Sequence, residues 1–136
     1  MAHLNPFLRF NDGACREAME FYKECFDGKL TFMTIGESPM AKDMSADKQH
    51  YIMHSELKKE GLLLQGSDMM RDTAIIGDNV GITINCESEH EIKTIFAKLS
   101  VDGEVFCQLG EAFWGALFGV VTDKYGIEWM LNYPKK

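Results

Sequence analysis

The order strand, helix, strand, strand, strand is written twice into this chain, and a repeated unit of that kind restricts the fold more than composition does. In the first copy Leu4, Pro6, Leu8 and Phe10 alternate as a strand, closed by the turn residues Asn11, Asp12 and Gly13. Ala14, Ala18, Phe21, Tyr22, Cys25 and Phe26 then fall on one helical stripe, with Gly28 after Asp27 as its stop. Leu30, Phe32 and Thr34 mark a second strand. Residues 50–57 and 62–67 read as two more, joined by the tight turn Lys58-Lys59-Glu60-Gly61. Residues 36–48 are polar, carry Pro39 and have no period, which predicts a long surface loop, either mobile or functional.

The second copy repeats the order. Val80, Ile82, Ile84 and Cys86 alternate as a strand, Ser88 with Glu91 forms the S-x-x-E start of a helix, and Ile92, Ile95, Phe96 and Leu99 supply its apolar stripe. Residues 104–109, 113–122 and 127–133 follow as three strands, the last beyond a turn at Tyr125-Gly126. Phe21 matches Phe96 and Asp27-Gly28 matches Asp102-Gly103. Allowing one extra residue in the first turn, Leu4, Pro6, Leu8 and Phe10 match Val80, Ile82, Ile84 and Cys86. The expected organisation is a single α+β domain of two βαβββ modules, 1–67 and 80–136, with a linker over 68–79.

Composition narrows the partners. The 136 residues are 46% apolar and 26% charged, the balance of an ordinary folded domain. A formal net charge of −7 argues against binding a phosphate backbone, which draws its affinity from clustered positive charge. No apolar run approaches the roughly 20 residues of a membrane span, and nothing at the amino terminus has the pattern of a signal peptide. Neither nucleic acid nor membrane is an expected partner, and a cytoplasmic location is expected. Cys15, Cys25, Cys86 and Cys107 show no CxxC pair or zinc-type spacing, so they read as reduced, mostly buried thiols.

The local wording is similar to one known group. Asn5-Pro6-Phe7-Leu8-Arg9-Phe10, Glu17-Ala18-Met19-Glu20-Phe21-Tyr22, Gly36-Glu37-Ser38-Pro39-Met40 and Met53-His54-Ser55-Glu56-Leu57 are followed by two more specific motifs. These are Phe113-Trp114-Gly115 and the run from Val121-Thr122-Asp123 through Gly126-Ile127-Glu128-Trp129-Met130-Leu131-Asn132. Together they resemble the PhnB-like branch of the vicinal oxygen chelate superfamily, the group of glyoxalase I, bleomycin-resistance proteins and extradiol dioxygenases. The resemblance implies paired βαβββ modules forming a curved, mostly antiparallel sheet around a cavity, and assembly as a homodimer. It also implies, for metal-dependent members, a divalent ion held by His, Gln or Glu on the first and last strands of both modules. Such an ion would act as a Lewis acid on two neighbouring substrate oxygens.

Carried over residue by residue, that ligand set is broken. The first position falls on Phe7 or Pro6, the second on Gln65, the third on Val80 or Gly81, and the fourth on Met130 with Glu128 two positions away. Only Gln65 and Glu128 have oxygen to offer, so no metal and no cofactor is predicted, a divalent metal being the alternative. His50, His54 and Glu56 are expected on one face of the third strand. His50 and His54 would lie roughly 13 Å apart at about 3.3 Å per residue, too far to share an ion. His54 and Glu56 could converge, with Gln65 or Asp68, either as fallback metal ligands or as an acid-base pair near neutral pH. Trp129 is assigned to the core and Trp114 to a pocket or a dimer contact.

Two functions from different classes follow. One is a metal-free module binding a small organic molecule through Phe7, His54, Gln65, Trp114 and Met130, which needs only an apolar surface with a few polar groups. The other is a lyase, isomerase or transferase acting on a small oxygenated substrate through a relocated metal or the His54/Glu56 pair. Relatives in this branch are often labelled demethylubiquinone methyltransferases, but this sequence has no glycine-rich strand-to-helix turn for a methyl-donor nucleotide.

Overall fold

Both helices form where an apolar stripe at helical spacing meets a start and a stop. The computed structural model describes residues 1–135 and places α1 over Cys15–Phe26 and α2 over Glu89–Leu99. Cys15, Ala18, Met19, Tyr22, Cys25 and Phe26 are the buried face of α1. Met19 takes a core position that the sequence stripe gave to Phe21, which sits half-buried at its flank. In α2 the buried face is Ile92, Ile95, Phe96 and Leu99, as the sequence predicts. Ser88 accepts the Glu91 N–H at 3.0 Å, but the Glu91 carboxylate takes the N–H of Glu87 rather than that of Ser88, so the capping box closes one residue early.

The chain divides into two units, Met1–Ile75 and a second beginning at Ile76. In the first, β1 (Phe7–Phe10), β2 (Lys29–Thr34), β3 (Ile52–Lys59) and β4 (Leu62–Asp68) form one sheet in the order β1-β4-β3-β2. In the second, β5 (Ile82–Asn85), β6 (Glu104–Glu111), β7 (Ala116–Thr122) and β8 (Glu128–Pro134) form another in the order β5-β8-β7-β6. Each sheet is mixed. Its first strand runs parallel to its last, because a helix returns the chain, and the remaining neighbours are antiparallel hairpins. The expected α+β class and the βαβββ element order are therefore present, carried by two mixed four-stranded sheets that are not closed.

Four strand starts differ from the sequence expectation. Leu4 and Val80 are exposed at 100% and 73%, and the strands start only at Phe7 and Ile82, where a partner strand is available to pair. Phe113 lies outside β7, at 96% exposure in the turn before it. His50 is not on β3 and shares no strand face with His54: it is exposed in the turn before Ile52. The segment read as an irregular loop is built from three short 3-10 turns, Ile35–Glu37, Pro39–Asp43 and Ala46–Lys48. A capping box between Thr34 and Glu37 starts it, and the Gln49 amide donates to the carbonyls of Ala41, Met44 and Ser45. Those bonds replace the period that the sequence lacks.

The aspartate of the Asp-Gly pair after each helix takes positive φ, Asp102 at 58° as well as Asp27, and both glycines stand against a carbonyl oxygen, that of Lys58 at Gly28. Asp27 and Gly28 both take positive φ, 66° and 122°, to turn the chain out of α1. At Gly103 the need is room, since a Cβ there would stand 2.5 Å from the Thr122 carbonyl oxygen.

Candidate functional site

Each helix covers one face of its own sheet. In the first unit α1 packs on β2, β3 and β4, and Leu8, Phe10, Leu57 and Leu64 are buried on that side. Strand alternation sends the neighbouring residues to the opposite face. There Phe7 stands opposite Gln65, Gln65 opposite Glu56, and Glu56 opposite Thr31, one row across all four strands. Arg9 opposite Ser67 and Met33 opposite His54 lie next to it on the same face. Asn5 Nδ2 donates to Gln65 Oε1 at 2.6 Å, and the Arg9 guanidinium lies 5.3 Å from the centre of the Phe7 ring. His54 Nε2 is 3.9 Å from Glu56 Oε1, too long for a hydrogen bond, with both side chains partly exposed.

In the second unit α2 packs on β7 and β8, burying Val121, Trp129 and Leu131. Trp129 is core, as expected. Thr83 stands opposite Met130 and Asn85 opposite Asn132 on the other face. Trp114, half exposed, donates its indole N–H to Asn132 Oδ1 at 3.3 Å, and Asn132 Nδ2 donates to Asn85 Oδ1 at 3.3 Å. The indole stands edge-on to Phe113 and Phe118, with ring centres 4.9 Å and 5.1 Å away. Glu128 and Met130 lie beside Gly81, where a Cβ would meet Glu128 Oε1 at 2.9 Å and Met130 Cε at 3.0 Å.

The donor chemistry does not fit the divalent ion of chelating relatives. Phe7 faces Gln65, whose oxygen already accepts a bond from Asn5, and Thr83 faces Met130, a soft thioether. Among the described residues no three His, Cys, Asp or Glu side chains gather as a cation cluster. His54, Glu56 and Gln65 do share one neighbourhood, and Glu128 belongs to the second unit. Sequence reasoning missed Arg9, Ser67, Asn85 and Asn132. Arg9, Ser67 and Asn132 sit two positions beyond Phe7, Gln65 and Met130 on the same strands, so the period-two rule applied to the chosen residues would have found them.

The buried carboxylate and thiols lie elsewhere. Asp68, at the end of β4, accepts the N–H of Cys15 at 2.9 Å and of Ile52 at 2.8 Å. Burial raises its pKa, and the same two N–H groups, then His50 and Arg16, oppose the rise. Burial pushes the Cys15 thiol up to about 12 against the Ser55 hydrogen bond, and the Cys86 thiol likewise to about 12.

Two mixed sheets of this order, each with one covering helix, define a fold of the glyoxalase/bleomycin-resistance type. A glyoxalase/bleomycin resistance protein/dioxygenase family enzyme of Burkholderia phytofirmans shares it at a TM-score of 0.64 and 10% identity, over 98% of this chain and 100% of the other. Within that class, the chain belongs to the family described as 3-demethylubiquinone-9 3-methyltransferase, whose model matches residues 2–132. It is similar to protein PA1353 of Pseudomonas aeruginosa, at 33% identity and a TM-score of 0.87 over the whole of both chains. It is also similar to the PhnB protein of Bacillus cereus, at 27% identity and 0.73, over 97% of this chain and 99% of the other. The PhnB-like resemblance read from the sequence is thereby confirmed.

Proposed function

We propose that this protein binds a small organic molecule on the open faces of its sheets and does so without the divalent ion of chelating relatives. The observation that carries the reading is what stands at the carried-over ligand positions Phe7, Gln65 and Met130, with Thr83, two residues beyond the third position at Gly81, facing the last of them. Phe7 with Gln65 and Thr83 with Met130 offer a ring, an engaged amide, a hydroxyl and a thioether. Such a mixture suits an apolar ligand fixed by a few polar contacts. Phe7, His54, Gln65, Trp114 and Met130 are its assigned contacts. The family's description names methyl transfer, but the chain has no glycine-rich turn for a methyl-donor nucleotide, and no such activity is assigned. Assembly as a cytoplasmic homodimer belongs to the same reading, and sedimentation equilibrium tests its dimer arm.

Elemental analysis of untagged protein, dialysed against mixed divalent metals without chelator, tests the metal arm. The expected result is no stoichiometric ion. A retained ion would overturn the metal-free reading and direct attention to His54, Glu56, Gln65 and Glu128. A thermal-shift screen of small organic compounds tests the binding arm, with His54→Ala/Glu56→Ala protein alongside. Ligands that stabilise both proteins support a binding module. The 3.9 Å approach of His54 to Glu56 favours a second reading, an enzyme with an acid-base pair. Turnover of a screened compound, abolished in the folded double variant, would establish it instead.

A further inference from the structure

The second unit presents aromatic surface in an arrangement that polar side chains would serve better if solvation were its only role. Phe113 is 96% exposed and Trp114 51% exposed, side by side in the turn that joins β6 to β7. The turn is tied down. Ala112 N–H donates to the Ala116 carbonyl at 2.8 Å, Gly115 N–H to the Ala112 carbonyl at 3.1 Å, and Lys135 N–H to the Gly115 carbonyl at 3.3 Å. Gly115 takes φ +82°, a conformation that closes the turn and that side-chain-bearing residues rarely adopt. The indole itself is held on three sides, by the Asn132 oxygen and by the edges of Phe113 and Phe118. A pinned, half-exposed indole is a platform whose ordering cost is already met before anything binds.

Beside that platform runs a file of neutral amides. Asn132 is engaged through its oxygen to Trp114 and through its amide nitrogen to Asn85, and Asn85 accepts through its oxygen. The chain of bonds therefore ends on the Asn85 amide nitrogen, a pair of N–H donors on an exposed side chain at the sheet edge. The file crosses from the start of β7 over β8 to β5, about 10 Å at two strand spacings. The bonded side chains of the file are all neutral. We infer that Trp114, Asn132 and Asn85 form a recognition element for a neutral planar ring bearing a carbonyl or carboxamide arm. The ring lies against the indole, and the carbonyl oxygen accepts from the amide file.

The inference rests on the small-molecule reading but assigns it one place and one ligand class, and the two tryptophans allow them to be tested apart. The Trp129 indole N–H is buried and donates to Asp123 at 2.7 Å, so its resonance is an internal control for that of Trp114. Folded protein labelled with 15N is titrated with benzamide and, separately, with toluene, following the indole and side-chain amide signals. Benzamide is expected to shift Trp114, Asn132 and Asn85 while Trp129 stays. Trp114→Leu should weaken benzamide about tenfold, and Asn132→Leu should weaken it about fivefold while leaving toluene within about twofold. Trp114 lies at an exposed turn, so its variant keeps the test valid should Asn132→Leu fold poorly.

Toluene binding as tightly as benzamide overturns the ligand class. Benzamide shifts confined to signals around Phe7, His54 and Gln65 overturn the place while leaving the small-molecule reading intact. No shift with either compound up to its solubility overturns the inference, and the compound screen then decides the wider reading alone.

Discussion

Trp129 donates its indole N–H to Asp123 Oδ2 at 2.7 Å, and both side chains are almost wholly removed from solvent. The other carboxylate oxygen accepts from the backbone of Tyr125 at 2.8 Å and Ile127 at 3.1 Å, so one aspartate fixes the β7–β8 turn and a core tryptophan together. Trp129→Phe keeps most of the ring and removes the donor, exposing the carboxylate to the cost of a lost bond in a buried place. The expected loss of stability is about 2–4 kcal/mol, read as a lower urea midpoint at unchanged slope. An unmoved midpoint would mean that water replaces the indole without penalty.

Two glycines of the same sheet should respond unequally to a methyl group. At Gly119 a Cβ would meet Phe96 Cε1 at 2.6 Å and the Leu109 Cα at 3.2 Å, and Phe96 is itself packed in the core. Gly119→Ala should cost about 1–3 kcal/mol through overpacking. At Gly110 the nearest atom would be 3.9 Å away, so Gly110→Ala should fall within about 0.5 kcal/mol of the parent. Thermal unfolding of both variants checks the pair. Equal effects would show that the sheet of the second unit relaxes around Gly119.

How much of this was legible in the sequence follows from where the determinants lie. Ile92, Ile95, Phe96 and Leu99 recur at helical spacing and Ser88 accepts from Glu91, so α2 is a local fact that the sequence states. The starts of β1 and β5 are not local. Leu4 and Val80 continue the alternation, yet a strand begins only where β4 or β8 can pair with it. Phe113 misled for the same reason, its apolar character belonging to an exposed turn rather than to β7. At the candidate site, Phe7, Gln65 and Met130 are assigned through resemblance. Their facing relationships, and the amide file of Asn85 and Asn132, needed the strand register.

Thiol chemistry should separate the cysteines sharply. Cys15, Cys25 and Cys86 are buried and Cys107 is exposed on β6. With the Cys15 and Cys86 thiols pushed up to about 12, neither supplies appreciable thiolate at pH 8. Iodoacetamide on native protein should therefore modify Cys107 first, and the other three only after denaturant is added, as peptide mapping would report. Early labelling of Cys15 would instead reveal local opening of the start of α1 on the labelling timescale.

Asp68 gives a pH dependence of definite sign. Burial raises its pKa in the folded protein, opposed by the N–H groups of Ile52 and Cys15 and by His50 and Arg16. A folded-state value above the unfolded one, about 3.9, means that the native chain keeps a proton the unfolded chain has already released. The contribution is present in full below the unfolded value and is lost as pH rises through the folded value. Other carboxylates slope the opposite way, since hydrogen bonds from Thr34 lower Glu37 and one from Ser45 lowers Asp47. The test is accordingly a difference between the parent and Asp68→Asn, in which an amide nitrogen meets one of the two N–H donors and loses that bond. Measured by urea unfolding at successive pH values upward from the unfolded value, the advantage of the parent over Asp68→Asn should shrink as pH rises and then level off above the folded value. An advantage that grows with pH would mean that the Ile52 and Cys15 N–H groups outweigh burial and that the carboxylate is held ionised.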